Sequence, residues 1–154
     1  MVAGVDEMIA AVEAALRREA ALPVRAQAAA TAVQDHGNAR WVGIYSVDDS
    51  EVRNEAWAGP AAPAYPRFAV TEGLTSHAIA AGAIAVSNDT ARDPRYLANQ
   101  DDSGSELIVP IVVDGRVIGT LDLESDRVGA FSGESIARFE AAAQLLAALW
   151  LGPS

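Results

Sequence analysis

The spacing of apolar residues predicts helices near both ends of the chain. Over residues 5–21, apolar side chains recur every three or four positions with charged residues between them, which is the period of an amphipathic helix. Pro23 interrupts the pattern, because proline fits a first helical turn but not a helix interior. We therefore expect two N-terminal helices within residues 5–36, the second over 24–35, which ends near Gly37.

A third long helix is predicted at the C-terminal end, over residues 132–151. Ser132 is a good N-cap, and Glu134 in the first turn complements the helix dipole. Gly152 and Pro153 then end the helix. The helical stripe that would face a core consists of Ile136, Phe139, Ala143, Leu146 and Trp150.

Between these helices the pattern favours strands. Residues 40–47 are mostly apolar, and the alternation of a strand places Trp41, Gly43 and Tyr45 on one face. We expect further strands over 51–58, 67–70 and 83–87, a loop over 59–66 and a short helix over 74–81. Residues 88–104 form a long polar connection, with one helical turn expected over 93–97. Connections of this length usually have a function, and we expect a lid or pocket wall.

Residues 105–125 predict a β-hairpin that ends in carboxylates. Asp114 and Gly115 separate two β-branched runs, which is typical of a type I′ turn. Asp122 and Glu124 are two positions apart and therefore share a face. A regular hairpin would place Glu106 on the other face. Pro110 favours a bulge, however, and a bulge there would turn Glu106 toward the pair.

Together these elements predict a single α+β domain over residues 1–154. It has two N-terminal helices at 5–36, the sheet and pocket at 40–125, and a C-terminal helix at 132–151. The sheet is antiparallel, with about six strands.

The composition excludes several kinds of chemistry. The chain has no cysteine and no lysine, because all 11 basic residues are arginine. Thiolate nucleophiles, disulfides, Schiff bases and a Walker-type phosphate loop are therefore excluded. The net charge of −10 argues against binding to nucleic acid or to an anionic membrane. With no apolar run of membrane-spanning length and no leader-like segment, we expect a cytoplasmic protein with no cofactor and no metal.

Four stretches resemble a GAF domain in their order and spacing, over residues 5–151. They are RWVGIYSVDD, TEGLTSHAIAAGAIAVSNDTARDP, SELIVPIVVDGRVIGTLDLES and AFSGESIARFEAAA. The resemblance implies a central antiparallel sheet, with terminal helices on one face and a small-molecule pocket on the other. It also implies a homodimer formed through the terminal helices.

Within that family, three motifs are similar to those of the free methionine-R-sulfoxide reductases. They are Trp41, Gly43 and Tyr45 in the first strand, Ser105 and Glu106 before the hairpin, and Asp122 and Glu124 after it. In those enzymes the aromatic and acidic residues line the substrate pocket. The reductases also use cysteines, and the matching positions here are Asn99 and about Thr75. Without a thiolate the reductase cycle cannot run, so we expect a protein that is not a thiol-dependent reductase.

The residues of these motifs also have plainer interpretations. Asp122 and Glu124 would form a solvated strand end, or pair with arginines such as Arg40, Arg92 or Arg95. If they are half-buried instead, their mutual repulsion raises one pKa. Trp41 and Tyr45 would be ordinary core residues, and Asn99 would lie in a solvated loop. His77 and His36 lack any partner pattern and are not expected to be catalytic.

Two functions remain open from the sequence. The first is binding of a small polar metabolite, with an amino-acid-like zwitterion as the expected ligand. The residues expected to bind it are Trp41, Tyr45, Asn99, Ser105, Glu106, Asp122 and Glu124. The second is a cysteine-independent lyase, hydrolase or isomerase, in which Glu106, Asp122 and Glu124 act as general acid and base.

Overall fold

A computed structural model describes residues 3–98 and 102–152 of the chain. Its helices are α1 (Ala3–Leu16), α2 (Leu22–Gly37), α3 (Gly73–Ala81), α4 (Gly133–Leu146) and α5 (Ala148–Leu151). Its strands are β1 (Trp41–Val47), β2 (Glu51–Ala58), β3 (Arg67–Ala69), β4 (Ala85–Ser87), β5 (Ser105–Val113) and β6 (Arg116–Ser125). None of the helices in the described part is long and apolar enough to cross a membrane.

The strands form one antiparallel sheet of six strands, in the order β3-β2-β1-β6-β5-β4. This confirms the predicted α+β class. Strand β1 lies at the centre because it pairs with both β2 and β6. The β5–β6 hairpin turns at Asp114 and Gly115, whose φ angles of 51° and 77° are both positive, as a type I′ turn requires.

One face of the sheet is covered by the long helices. Val42, Ile44 and Leu123 point to this face and are fully buried against residues of α1, α2 and α4. Much of the α2 surface at this contact is alanine, which lets the helix lie close to the strands. Trp150 of α5 donates from Nε1 to Ser46 Oγ at 2.9 Å, which ties the end of the chain to β1.

Several predicted boundaries differ from the observed ones. Helix α1 ends at Leu16 rather than near residue 21, because residues 17–21 are all exposed and have no apolar face to bury. The expected single C-terminal helix is divided at Ala147 into α4 and α5. In place of the helical turn expected over 93–97 there is a single hydrogen-bonded turn, in which the Tyr96 N–H donates to the Asp93 carbonyl oxygen at 3.1 Å, and a separate 3₁₀ turn lies earlier at Thr90–Arg92.

The hairpin register brings Glu106 beside the acidic pair, but the irregularity is not at Pro110. Pro110 lies in a regular part of the ladder, and the register shifts after Ile111, where β6 holds one extra residue, Ile118. Because side chains alternate along a strand, this single residue reverses the face on which the N-terminal half of β5 presents its side chains. Glu106 therefore lies opposite Glu124.

Candidate functional site

The face of the sheet opposite the long helices carries the acidic and aromatic residues of the motifs. Residues directly opposite each other in neighbouring antiparallel strands share a face. Three such rows cross the centre of the sheet. They are Trp41, Glu124 and Glu106; Gly43, Asp122 and Ile108; and Tyr45, Thr120 and Pro110. The structure thus brings three carboxyl groups and two aromatic rings together on one surface, which we call the pocket face.

The three carboxyl groups are buried rather than solvated. Glu106, Asp122 and Glu124 are 6%, 4% and 1% exposed. Buried carboxylates are normally paired with a cation, because taking an unpaired charge out of water is costly. None of the ion pairs within residues 3–98 and 102–152 includes Glu106 or Asp122. The interpretation of the pair as a solvated strand end is therefore wrong.

The arginines that were candidates to neutralise these groups are engaged elsewhere. Arg40 pairs with Asp102, Arg92 with Asp89, and Arg95 with Asp93. All three acidic partners lie in the polar connection before β5, residues 88–104. These acidic residues neutralise the three arginines, so the interpretation in which Asp122 pairs with an arginine is also wrong.

Burial changes the protonation of the pocket face. It raises the pKa of Asp122 to about 8, and the nearby charge of Glu124 adds to the rise. Burial also raises the pKa of Glu106 well above its usual value, and the charges of Glu124 and Asp122 add to that effect. Near neutral pH the cluster therefore holds protons that isolated carboxyl groups would have lost. Because the carboxyl groups interact with one another, they gain and lose these protons as a group.

Gly43 explains why the two aromatic rings can lie side by side. A Cβ atom at this position would come within 2.8 Å of the Tyr45 ring and would also overlap the Trp41 ring. The Trp41 indole donates from Nε1 to the carbonyl oxygen of Ala61 at 3.0 Å. Tyr45 packs edge-to-face on Phe68, with ring centroids 5.9 Å apart. Burial, and then the charge of Asp122, raises the pKa of Tyr45, so its hydroxyl stays protonated.

Only part of the predicted site borders one cavity. Tyr45, Glu106 and Asp122 line it, and the rest of its wall consists of Tyr65, Phe68, Gly73, Leu74, Thr75 and Leu97. The volume of the cavity that the centre of a water molecule can reach is about 20 Å³. The cavity therefore has room for about one water. Trp41 and Glu124 border a separate, narrower gap next to it.

Three polar atoms of the pocket face lack a hydrogen-bond partner in the described part of the chain. They are Asp122 Oδ1, Thr120 Oγ1 and Ser87 Oγ, the last opposite Glu106 in the sheet, and all three are fully buried. An unsatisfied buried polar atom costs about 1–3 kcal/mol, so native structures contain few of them. Asp122 also lines the cavity, so its unpaired oxygen borders the empty space.

The N-terminus of α3 also lines this cavity. Gly73, Leu74 and Thr75 begin this nine-residue helix and line the cavity, and Gly73 has the positive φ of 71° that glycine tolerates. The residue before the helix, Glu72, makes no side-chain capping hydrogen bond. The first N–H groups of a helix attract anions. The cavity therefore has one acidic wall and one wall suited to an anion.

Of the predicted ligand-binding residues that the structure describes, Ser105 borders neither the cavity nor the adjoining gap. Ser105 lies on the other face of β5, because it is adjacent to Glu106. Its Oγ donates to the Arg127 carbonyl oxygen at 2.7 Å and accepts from the Ala130 N–H at 3.3 Å. It therefore fixes the loop after β6 instead of facing the pocket. Asn99 lies outside the described residues.

Sequence reasoning did not assign several residues to the site, among them Phe68, Thr120 and Tyr96. Thr120 was detectable, because it precedes Asp122 by two positions and so shares its face. Tyr96 was not, because nothing in the polar loop distinguishes it. The Tyr96 hydroxyl donates to Glu124 Oε1 at 2.7 Å.

The two histidines lie apart from this cluster. His77 is exposed on α3, and His36 near the end of α2 faces Glu7. Among residues 3–98 and 102–152, no group of three or more histidine or acidic side chains is arranged to hold a metal ion.

Comparison with solved structures shows similarity to free methionine-R-sulfoxide reductases. One is from Neisseria meningitidis, solved in complex with its substrate. It has a TM-score of 0.85 and 26% identity over 96% of this chain and 88% of that one. A type II enzyme from Thermoplasma acidophilum has a TM-score of 0.76 and 30% identity over 83% of this chain and 91% of that one.

Sequence comparison gives the family. The GAF domain-containing protein A of Dictyostelium discoideum is 30% identical over 101 residues, which are 65% of this chain and 63% of that protein. The chain thus spans less than two thirds of this relative. The model of the GAF domain matches residues 19–150. The chain belongs to the GAF domain family.

Proposed function

We propose that this domain binds a small amino-acid-like zwitterion at the pocket face. The observation that carries this proposal is the pair of buried carboxyl groups of Glu106 and Asp122, which have no ion pair in the described part of the chain. An ammonium group would supply the missing positive charge. It would also offer hydrogen bonds to Asp122 Oδ1, which has no partner there.

The other walls fit the other parts of such a ligand. The N–H groups at the start of α3 would bind its carboxylate. Tyr45 and Phe68 would contact its side chain, since both line the cavity. Glu124 and Trp41 border the adjoining gap and would extend the acidic and aromatic walls. We also propose Asn99 as a further polar contact of the ligand.

The relatives supply the first compound to test. The similar protein from Neisseria meningitidis is a free methionine-R-sulfoxide reductase that binds its substrate. Free methionine sulfoxide is therefore the first probe for this chain. Because the sequence contains no cysteine, we propose binding without thiol-dependent reduction.

A thermal-shift screen tests the proposal with three proteins: wild type, Asp122→Asn and Asp126→Asn. The last variant makes the same change at an exposed position just beyond β6. The probes are methionine, methionine sulfoxide and other free amino acids, each paired with its deaminated analogue. We expect an amino acid to raise the melting temperature of wild type and Asp126→Asn but not of Asp122→Asn. Equal shifts in all three proteins, or none with any probe, would reject the proposal.

The raised pKa values support a second candidate function, a cysteine-independent lyase, hydrolase or isomerase. A carboxyl group with a pKa of about 8, such as Asp122, can donate or accept a proton near neutral pH. Glu106 and Glu124 lie beside it on the pocket face. Any amino acid that binds should then be incubated with the protein and followed by NMR. Its conversion by wild type but not by Asp122→Asn would favour catalysis over binding alone.

We also propose that the domain forms a homodimer through its terminal helices, and we keep the prediction of a cytoplasmic location. Leu151 of α5 and Val24 of α2 support the dimer, because they are apolar yet 64% and 48% exposed. Light scattering after size-exclusion chromatography tests it. The mass should fall to that of a monomer in Leu151→Glu, and a monomeric wild type would contradict the proposal.

A further inference from the structure

Tyr96 lies in the polar loop and makes a hydrogen bond to the acidic cluster. Its hydroxyl donates to Glu124 Oε1 at 2.7 Å, although the two residues are 28 positions apart in the sequence. The side chain of Tyr96 is partly buried. Burial and the neighbouring charge of Glu124 raise its pKa, so the hydroxyl keeps its proton and remains a donor.

The residues on either side of Tyr96 fix its position. Arg95 donates to the Val86 carbonyl oxygen at 3.0 Å and pairs with Asp93, which anchors the segment to β4. Leu97 follows and packs on the start of α3, where a Cβ atom at Gly73 would lie 3.0 Å from the Cβ of Leu97. Tyr96 and Leu97 therefore close the acidic wall against the wall formed by α3.

This closure leaves too little space for an amino acid. The cavity beneath Leu97 has room for about one water, and the gap beside Glu124 has none. A ligand must therefore displace part of the covering surface before it reaches the carboxyl groups.

We propose that Tyr96 is an internal competitor of the ligand, whose hydroxyl occupies Glu124 and holds the pocket closed until a ligand binds. This inference rests on the proposed function, because it concerns the same site. An ammonium group brings a full positive charge to the carboxylate, whereas a phenol is neutral, so it gains a Coulomb attraction that the tyrosine hydroxyl lacks. It can therefore replace the hydroxyl.

The competition has a signature that distinguishes it from a direct contact with the ligand. If only the open form binds, the apparent dissociation constant is raised by the same factor for every ligand. Removing the competitor therefore strengthens the binding of all ligands equally, and it does so through the association rate. A tyrosine that contacts the ligand would have the opposite effect, because its removal would weaken binding.

The test compares wild type, Tyr96→Phe and Tyr65→Phe by calorimetry and stopped-flow fluorescence. The probes are L-methionine and L-methionine sulfoxide. Tyr65 is the matched control, because its ring lines the same cavity. We expect Tyr96→Phe to bind both probes about tenfold more tightly, by one common factor and with a faster association rate. Tyr65→Phe should show no common gain. Unchanged, weaker or probe-dependent binding by Tyr96→Phe would overturn the inference.

A measurement without ligand separates this inference from the proposed function. The amide of residue 96 donates to the Asp93 carbonyl oxygen at 3.1 Å, so its hydrogen exchange reports opening of the segment. We expect exchange to be about tenfold faster in Tyr96→Phe than in wild type or Tyr65→Phe. If neither probe binds any of the proteins, the proposed function fails. The exchange rate then decides the inference, and equal rates in all three proteins would overturn it.

Discussion

Both faces of the central sheet are buried, but one is apolar and the other carries acidic and polar side chains. On the helix-covered face, Ile44, Leu121 and Leu123 are fully buried among apolar neighbours. On the pocket face, their neighbours in the same strands include Thr120, Asp122 and Glu124, which are almost as buried. Because adjacent residues of a strand alternate between faces, one sequence encodes both surfaces at once.

This comparison shows that burial has two different consequences in the same molecule. Apolar burial on the helix-covered face stabilises the fold by about 25 cal/mol per Å². Burial of carboxyl groups on the pocket face opposes folding unless they gain protons or a ligand. We therefore attribute stability to one face, and the other face carries the proposed recognition.

The largest expected effect is a loss of stability on the helix-covered face. Leu123→Ala should lower the free energy of unfolding by about 2–5 kcal/mol, because it leaves a cavity in the main core. Val128→Ala is the control, since Val128 is 65% exposed. Urea unfolding measures both. If Leu123→Ala cost no more than Val128→Ala, the assignment of stability to this face would be wrong.

A smaller effect is expected at the glycine between the two rings of the pocket face. Gly43→Ala should cost about 1–3 kcal/mol, because its methyl group would overlap the rings of Trp41 and Tyr45. The rings must move apart, so ligand binding should be lost along with this stability. Gly115→Ala is not a suitable control because its φ is positive, whereas Gly133→Ala is, since a Cβ atom there meets no neighbour. Unchanged binding by Gly43→Ala would show that the aromatic pair is not part of the site.

The smallest effect, measured per pH unit, is a change in the pH dependence of stability. The folded pKa of Asp122 is raised from 3.8 to about 8, so the folded state holds a proton that the unfolded state has released. Its contribution to stability is present below about pH 4 and is lost as the pH rises to about 8. Asp122→Asn should remove this slope, which is at most about 1.4 kcal/mol per pH unit.

Denaturant unfolding at several pH values checks this prediction, with Asp126→Asn as the control. The slope of Asp126→Asn should match that of wild type, because Asp126 is exposed. Identical slopes in wild type and Asp122→Asn would show that Asp122 ionises in the folded protein as it does in the unfolded chain.

Periodicity predicted the elements and most of their faces. The alternation in β1 placed Trp41, Gly43 and Tyr45 together, and the two-residue spacing placed Asp122 beside Glu124. The face of Glu106 depended on one extra residue in the hairpin. The sequence favoured an irregularity at Pro110, but the ladder accommodates this proline and shifts at Ile118 instead. Strand spacing alone does not locate such a bulge, because several apolar positions fit either register.

Long-range contacts were beyond the reach of the sequence. Arginine has the same charge wherever it lies, so nothing in the chain indicated that Arg40 pairs with Asp102 instead of the acidic pair. The approach of Tyr96 to Glu124 likewise depends on how the loop folds over the sheet. Ser105 was assigned to the pocket through its motif, although the alternation beside Glu106 places it on the other face.

Proton release on binding tests most directly whether the buried carboxyl groups form a binding site for an ammonium group. Wild type and Asp122→Asn would be titrated with L-methionine sulfoxide at neutral pH by calorimetry, in two buffers that differ in ionisation enthalpy. An ammonium group favours the ionised carboxylate, so wild type should release protons on binding, and Asp122→Asn should bind weakly and release fewer. Binding without proton release, or with equal affinity in both proteins, would contradict this account of the pocket face.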